Sequence, residues 1–231
     1  MDIKAIVAKQ PRLHLTPLPT PLGFAPNLTA LLGGPRIYVK RDDLTALAFG
    51  GNKTRKLEFL LPQAAAEGAD TVITLGGLQS NWVRQTVAAA RKLGMEAVVV
   101  LEGGPPEGDL QGNLLLDHLM GAELRYEPDV PQDVEDLEIQ GVFPITGKIA
   151  EEYRAKGRHP VLLPLGGATP VGNLGYINAV DELHDQLKEL GVKADYVIAA
   201  TGTGGTQAGI ECGLRLSGMD TKMLGISVSY H

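Results

Sequence analysis

The chain has 231 residues, 44% of them hydrophobic, and a formal net charge of −6, which suffices to bury one large core or two small ones. Its 21 basic residues form no cluster dense enough for a nucleic-acid footprint, and no apolar run approaches the ~20 residues of a membrane span. A single cysteine, Cys212, and five scattered histidines exclude an internal disulfide and argue against a Cys/His metal site, so the expectation is a soluble cytoplasmic protein.

The opening stretch, MDIKAIVAKQPRLHL, lacks the continuous apolar core of a signal peptide. Beyond it, short runs rich in β-branched residues recur at RIYVK (36–40), TVITL (71–75), EAVVVL (96–101), VLLPL (161–165), YVIAA (196–200) and MLGISVS (223–229). Helix-length segments lie between most of them, near 53–67, 81–93, 109–120, 146–156, 170–190 and 205–217. Strand–helix–strand alternation predicts an α/β fold of mainly parallel sheets with helices on both faces. The acidic, Pro-containing stretch EPDVPQDVEDLEIQGVFPITG predicts a surface connection. In TPVGNLGYINAVDELHDQLKELG, Thr169 is the expected N-cap, Pro170 the first helical residue and Gly191 the stop. The sequence ends at GISVSYH, directly after a strand. Parallel strands normally have both faces covered, so the sheet is expected to be finished by another chain or by residues absent here.

Parallel sheets bind ligands beyond the carboxyl ends of their strands, which directs attention to three loops entering helices. In FGGNKTRKLEF (49–59), Asn52 is a candidate N-cap and Leu57, Leu60, Leu61 and Ala64 form an apolar stripe. Lys53, Arg55 and Lys56 stand at the helix end that disfavours positive charge. In TLGGLQSNWVRQTV, Ser80 or Asn81 caps a helix, and that N-terminus is either an ordinary cap or a site for a carboxylate or phosphate. In IAATGTGGTQAGI, a glycine turn with Thr201, Thr203 and Thr206 suits a phosphate. It is neither a Walker loop nor a dinucleotide fingerprint, because Gln207 occupies the third glycine position and no acidic residue follows at the required distance. A lysine, an anion-binding helix start and a phosphate cradle are together the parts needed to hold pyridoxal phosphate and an amino acid. Asp42 and Asp43 point different ways as neighbours and are expected to fix a loop, and Cys212 is expected to be a small buried residue.

The segments VKRDDLTALAFGGNKTRKLEFLL, GGLQSNWVRQTVAAARKLGM, QGNLLLDHLMGAEL and ATGTGGTQAGI resemble the D-cysteine desulfhydrase and 1-aminocyclopropane-1-carboxylate deaminase family. These are pyridoxal-phosphate lyases of the tryptophan-synthase β fold type (fold type II), and the likeness runs from about residue 13 to the end. It implies two three-layer domains, a large one from 1–46 and 158–231, incomplete at its C-terminus, and a small one from 47–157. It implies that Lys53 carries the cofactor as a Schiff base and shuttles the Cα proton, making Lys53 and Ser80 the candidate catalytic residues. Asn52, Asn81, Gly202, Thr203, Gly204, Gly205 and Thr206 would bind the cofactor, and Ser80, Asn81 and Trp82 the substrate. Arg55 and Lys56 would be fold and field residues that keep the surroundings of Lys53 positive. Trp82 stands where this family carries Gln or His; it would narrow or reshape the substrate pocket or, alternatively, be an aromatic packing under the cofactor domain. The family's chains continue further and supply substrate-side tyrosines, for which Tyr230 falls too early. The implied reaction on D-cysteine yields sulfide, pyruvate and ammonia, and Val83-Arg84-Gln85-Thr86 in SNWVRQT looks closer to the desulfhydrase pattern; the alternatives are a deaminase opening 1-aminocyclopropane-1-carboxylate to 2-oxobutanoate and ammonia, or a catalytically impaired fragment that binds cofactor or amino acid. The implied assembly is a homodimer.

Overall fold

The computed structural model describes residues 3–128 and 143–228; most of the expected acidic connection, and Tyr230 and His231, lie outside them. The chain begins with helix α1 (Ile3–Val7), followed by β1 (Leu22–Phe24), α2 (Pro26–Leu32) and β2 (Tyr38–Lys40). β1 and β2 pair antiparallel. The regular alternation then sets in: α3 (Thr54–Ala66), β3 (Thr71–Gly77), α4 (Asn81–Lys92), β4 (Glu96–Glu102), α5 (Gly112–Leu119), β5 (Glu123–Glu127), α6 (Pro144–Ala155) and β6 (Pro160–Leu162). It closes with α7 (Pro170–Glu189), β7 (Tyr196–Thr201), α8 (Gly205–Ser217) and β8 (Lys222–Ser227).

The strands expected from β-branched runs form, and β3 through β6 make one parallel sheet in the order β5-β4-β3-β6. Its central strands are buried on both faces with a period of two. Ala97, Val99 and Leu101 join Val83, Val87 and Leu57 in one core; Val98, Val100, Ile73 and Leu75 join Ile149 and Tyr153 in another. Helices therefore cover both faces of this sheet, as expected. β6, placed beyond residue 157 and so with the larger unit by the sequence, pairs in parallel with β3, Val72 facing Val161.

β7 and β8 form a separate parallel pair. α7 and α8 cover one face through Tyr176, Val180, Ile210 and Leu214, while Ile198, Leu224 and Ile226 are exposed on the other. Three close backbone approaches bind α7 to its neighbours. A Cβ on Gly175 would stand 2.2 Å from the carbonyl oxygen of Arg55, and one on Gly209 or Gly213 would meet the Cβ of Tyr176 or Val180 at 2.6 and 2.7 Å. Because the obstacle at Gly175 is backbone, Gly175→Ala is expected to cost about 3 kcal/mol. Thermal unfolding should show the loss, and an unchanged midpoint would refute the contact.

Helix ends follow the expected chemistry in two places. Thr169 caps α7 through Gly172 N–H at 3.0 Å, and Ser80 caps α4 through Val83 N–H at 3.3 Å. Two expectations are corrected. Asn52 does not cap α3, whose N-cap position is Lys53, because its amide is engaged elsewhere. Cys212 is exposed, because it lies on the side of α8 turned away from α7 and the sheet.

Candidate active site

The sheet order reverses beside β3: the chain goes from β3 to β4 on one side and returns to β6 on the other. A crevice opens beyond the carboxyl ends of strands at such a point. The chain leaving β3 enters α4 at Ser80 and Asn81, and the chain leaving β6 makes the turn Leu165–Gly167. The glycine turn after β7 and the start of α3 reach the same place through side chains. Asn52 Nδ2 donates to Thr206 Oγ1 at 3.2 Å, and Asn81 Nδ2 donates to Asn52 Oδ1 at 2.9 Å. Asn52 thus ties together the N-terminal ends of α3, α4 and α8. This juxtaposition brings the start of the Lys53 helix to the 202–206 turn, some 150 residues later in the chain.

The three cations at the start of α3 have separate fates. Lys53 is half-buried and makes no capping hydrogen bond. Burial lowers its amine below the ordinary 10.5 and so favours the neutral, nucleophilic form. Arg55 turns away from the crevice. Its guanidinium grips Asp42 twice at 2.8 Å and reaches both oxygens of Glu182 at 3.0 and 3.2 Å. Tyr176 Oη donates to the same Asp42 at 2.8 Å, and Lys40 Nζ donates to Glu182. Of the fold and field roles expected of Arg55, these bonds carry the fold role: it fastens α3 to α7 and the N-terminal segment. Asp42 fixes this junction, as expected, while Asp43 binds the exposed Arg41.

Lys56 was expected as a fold and field residue. It is fully buried, donates from Nζ to the carbonyl oxygen of Gly166 at 3.0 Å, and lies 2.8 Å from where a Cβ on Gly205 would stand. Burial, and then the charge of Lys53, lower its amine to about 7. The turn at 165–167 was another omission. Gly166, at φ +66°, leaves room for Thr203, whose Oγ1 would meet a Cβ there at 2.8 Å. The LGGAT run was the available signal, but only the fold shows that it abuts a loop almost forty residues later.

The turn itself fits an anionic group. Gly204 precedes α8 at φ +77° with no side-chain cap, so first-turn N–H groups stay free of side-chain partners. A Cβ on Gly202 or Gly204 would meet nothing within 4 Å, so the space before these groups is open. Thr203 and Thr206 add hydroxyls, and Lys56 adds an amine at the helix start. Two desolvated amines, with no carboxylate acting on either among the described residues, make a pH prediction. Lysines with lowered folded values bind protons less well when folded, so stability should rise as pH climbs from about 7 toward 10.5. Inorganic phosphate, by favouring the charged amine, should flatten that slope; parallel slopes with and without phosphate in thermal unfolding would contradict it.

Trp82 is not brought to the crevice. Its indole is 1% exposed, donates from Nε1 to Thr74 Oγ1 at 2.8 Å, and packs against Leu60 and the turn at Gly167. This is the packing alternative rather than the pocket wall. Among the described residues no group of three metal-ligating side chains gathers, and no helix is long and apolar enough to cross a membrane.

This parallel α/β scaffold is that of fold type II among the pyridoxal-phosphate enzymes. Residues 13–230 match the family described as "Pyridoxal-phosphate dependent enzyme", and the chain belongs to it. A Pyrococcus abyssi protein described as "Putative 1-aminocyclopropane-1-carboxylate deaminase" is 45% identical over 228 residues, covering 98% of this chain and 66% of its own. A D-cysteine desulfhydrase of Salmonella paratyphi C is 42% identical over 223 residues, covering 95% of this chain and 65% of its own. The crystal structure of an ACC deaminase homologue superposes with a TM-score of 0.88 at 43% identity, over 99% of this chain and 66% of that one. Escherichia coli diaminopropionate ammonia lyase, 22% identical with a TM-score of 0.71, shares the fold. The chain thus spans about two thirds of the length of these relatives.

Proposed function

We propose that the chain holds pyridoxal phosphate on Lys53 and acts as a lyase on a small amino acid, D-cysteine being the favoured substrate. The observation that carries this reading is the convergence of Lys53, desolvated at the start of α3, with the open N-terminus of α8 through the Asn81–Asn52–Thr206 hydrogen bonds. Gly202, Thr203, Gly204, Gly205 and Thr206 would hold the phosphate through backbone N–H groups and hydroxyls, with Lys56 beside them. Bound there, the cofactor supplies an aldehyde for a primary amine and a ring that accepts the electron pair released at Cα.

The rest is work for the chain's own side chains. Lys53, its amine lowered by burial below the ordinary 10.5, would hold the cofactor and, once displaced, take the proton from the substrate Cα. Ser80 Oγ already accepts a hydrogen bond from Val83 N–H, which leaves its own proton to donate to a substrate carboxylate. Asn81 stands in the first turn of α4, where the free N–H groups favour the same anion. Asn52 orients Asn81 and Thr206 together. The two-unit organisation belongs to this reading, 47–157 against 1–46 with 158–231, with Pro160–Leu162 joined to the first because it pairs with β3. A cytoplasmic homodimer is part of it too, and light scattering reads the stoichiometry.

Relatives and a structural neighbour named as 1-aminocyclopropane-1-carboxylate deaminases support a second reading, in which a ring-opened substrate gives 2-oxobutanoate and ammonia. The SNWVRQT run favours the desulfhydrase. The test is an absorption spectrum of the purified chain with pyridoxal phosphate, followed by product detection with each amino acid. Sulfide and pyruvate from D-cysteine support the first reading and 2-oxobutanoate the second. A chain that forms no cofactor band overturns both.

A further inference from the structure

The loop 46–51 runs into Asn52 and Lys53 through an unusual backbone. Ala46, Ala48 and Phe49 have φ of +65°, +45° and +67°, followed by Gly50 at +72° and Gly51 at +131°. Glycine adopts this region freely, but three of the five residues carry a Cβ, so the path is disfavoured and must be imposed by its surroundings. Phe49 gains nothing from burial, being 82% exposed. Local bonds help: Thr45 Oγ1 accepts from Gly51 N–H and donates to Gly51 C=O, both at 2.8 Å. The tie to the rest of the protein comes from α4. Arg84 donates from Nη1 to the carbonyl oxygen of Ala48 and from Nη2 to that of Gly50 at 2.9 Å. Its neighbour Gln85 accepts from Thr54 N–H at 2.8 Å and lies where a Cβ on Gly51 would go. Arg84 is itself buried, and its Nε has no hydrogen-bond partner among the described residues. Across from it, the buried carboxylate of Asp117 on α5 also lacks hydrogen bonds among these residues, so its charge acts on Arg84 through space.

We propose that Arg84 is a positioning residue: its planar fork spans the carbonyls of Ala48 and Gly50, holds the loop in its left-handed course, and so sets where Asn52 and Lys53 stand. The catalytic consequence rests on the proposed role of Lys53, while the hold on the loop does not. A lysine at 84 keeps the positive charge near Asp117 but loses the fixed two-pronged geometry. It therefore separates positioning from charge balance.

Three measurements on the full chain test this. Hydrogen exchange across 46–51 should be about tenfold faster in Arg84→Lys, and Schiff-base formation with added pyridoxal phosphate about tenfold slower, with the thermal midpoint little changed. Adding Ala48→Gly and Phe49→Gly to Arg84→Lys removes the Cβ penalties and should restore the Schiff-base rate to within about threefold of the parent. A merely structural arginine would not be rescued this way. Parental exchange and parental Schiff-base rates in Arg84→Lys overturn the proposal, as does failure of the glycines to rescue. Should Arg84→Lys not fold, Phe49→Val in the parent chain decides: a β-branched residue at positive φ loads the same loop without touching Arg84, and unchanged exchange there refutes the idea. If the parent chain itself forms no Schiff base, the proposed function fails, and the exchange arm still judges Arg84.

Discussion

Lys53→Ala is expected to abolish the cofactor absorption band and to lower the proposed lyase turnover by roughly 10⁴-fold or more, because the proposed function gives one side chain the work of both covalent anchor and proton carrier. The protein should stay folded. Lys53 contributes no capping hydrogen bond to α3, and removing a desolvated amine relieves a cost rather than adding one. Circular dichroism and thermal unfolding verify that point before the spectrum is read. The decisive control is Lys56→Met. Lys56 is the other buried amine at the cradle, already lowered to about 7, so it is the one group placed to substitute as anchor. A persisting band in Lys53→Ala that vanishes in the double variant would move the anchor to Lys56 and sink the assignment. A band lost in Lys53→Ala and kept in Lys56→Met supports it.

Arg55→Ala is expected to destabilise the fold by about 3–5 kcal/mol, the range for removing one partner of a buried ion pair. For a chain of this size that corresponds to a fall in Tm of roughly 6–20 °C. Arg55 is 1% exposed and sits between Asp42 and Glu182, so its loss leaves two half-enclosed carboxylates facing each other. Burial alone would push the Asp42 carboxyl up. Hydrogen bonds and charge from Arg55, with help from Tyr176 and Thr20, outweigh it and hold the group below 3.8. At Glu182, burial is likewise overcome by Arg55 and Lys40, leaving it below 4.5. Depressed carboxylates contribute stability that is present above these ordinary values and lost as pH falls through the lowered ones. In Arg55→Ala the same carboxylates protonate at higher pH, which relieves their repulsion. The gap between parent and variant should therefore be widest near neutral pH and narrow below about pH 4. Arg55→Lys should fall between the two, since an ammonium cannot serve both carboxylates with a fixed fork. Chemical denaturation at pH 7 and pH 4 reads the whole pattern, and a pH-independent gap would refute the ion-pair account.

The alternation of strands and helices was legible because burial on both faces demands continuous β-branched runs, which are local facts of composition. TVITL and EAVVVL show it; the glycine turn at 202–205 was legible too, with Gly204 at φ +77° where a Cβ is disfavoured. The Ser80 and Thr169 caps were equally local. What could not be read locally was which way each side chain of a short cationic run would turn. Lys53, Arg55 and Lys56 lie within four positions, yet one serves the crevice, one locks α3 to α7 and one is buried against Gly166. Trp82 was left between two readings and Cys212 misled for the same reason: adjacency to a motif says nothing about the face presented. Asn52 was expected to cap its own helix and instead joins two others.

By itself the sequence determined the layered parallel fold and the cofactor family, since periodicity, special backbone angles and a specific motif are carried by neighbouring residues. Only the tertiary structure decided how the three helix starts meet, that Arg55 belongs to the scaffold, that Lys56 is a second buried amine and that Arg84 braces the loop before Lys53. Those facts depend on contacts between segments 30 to 150 residues apart, whose energies come from burial and pairing that exist only once the chain has closed on itself.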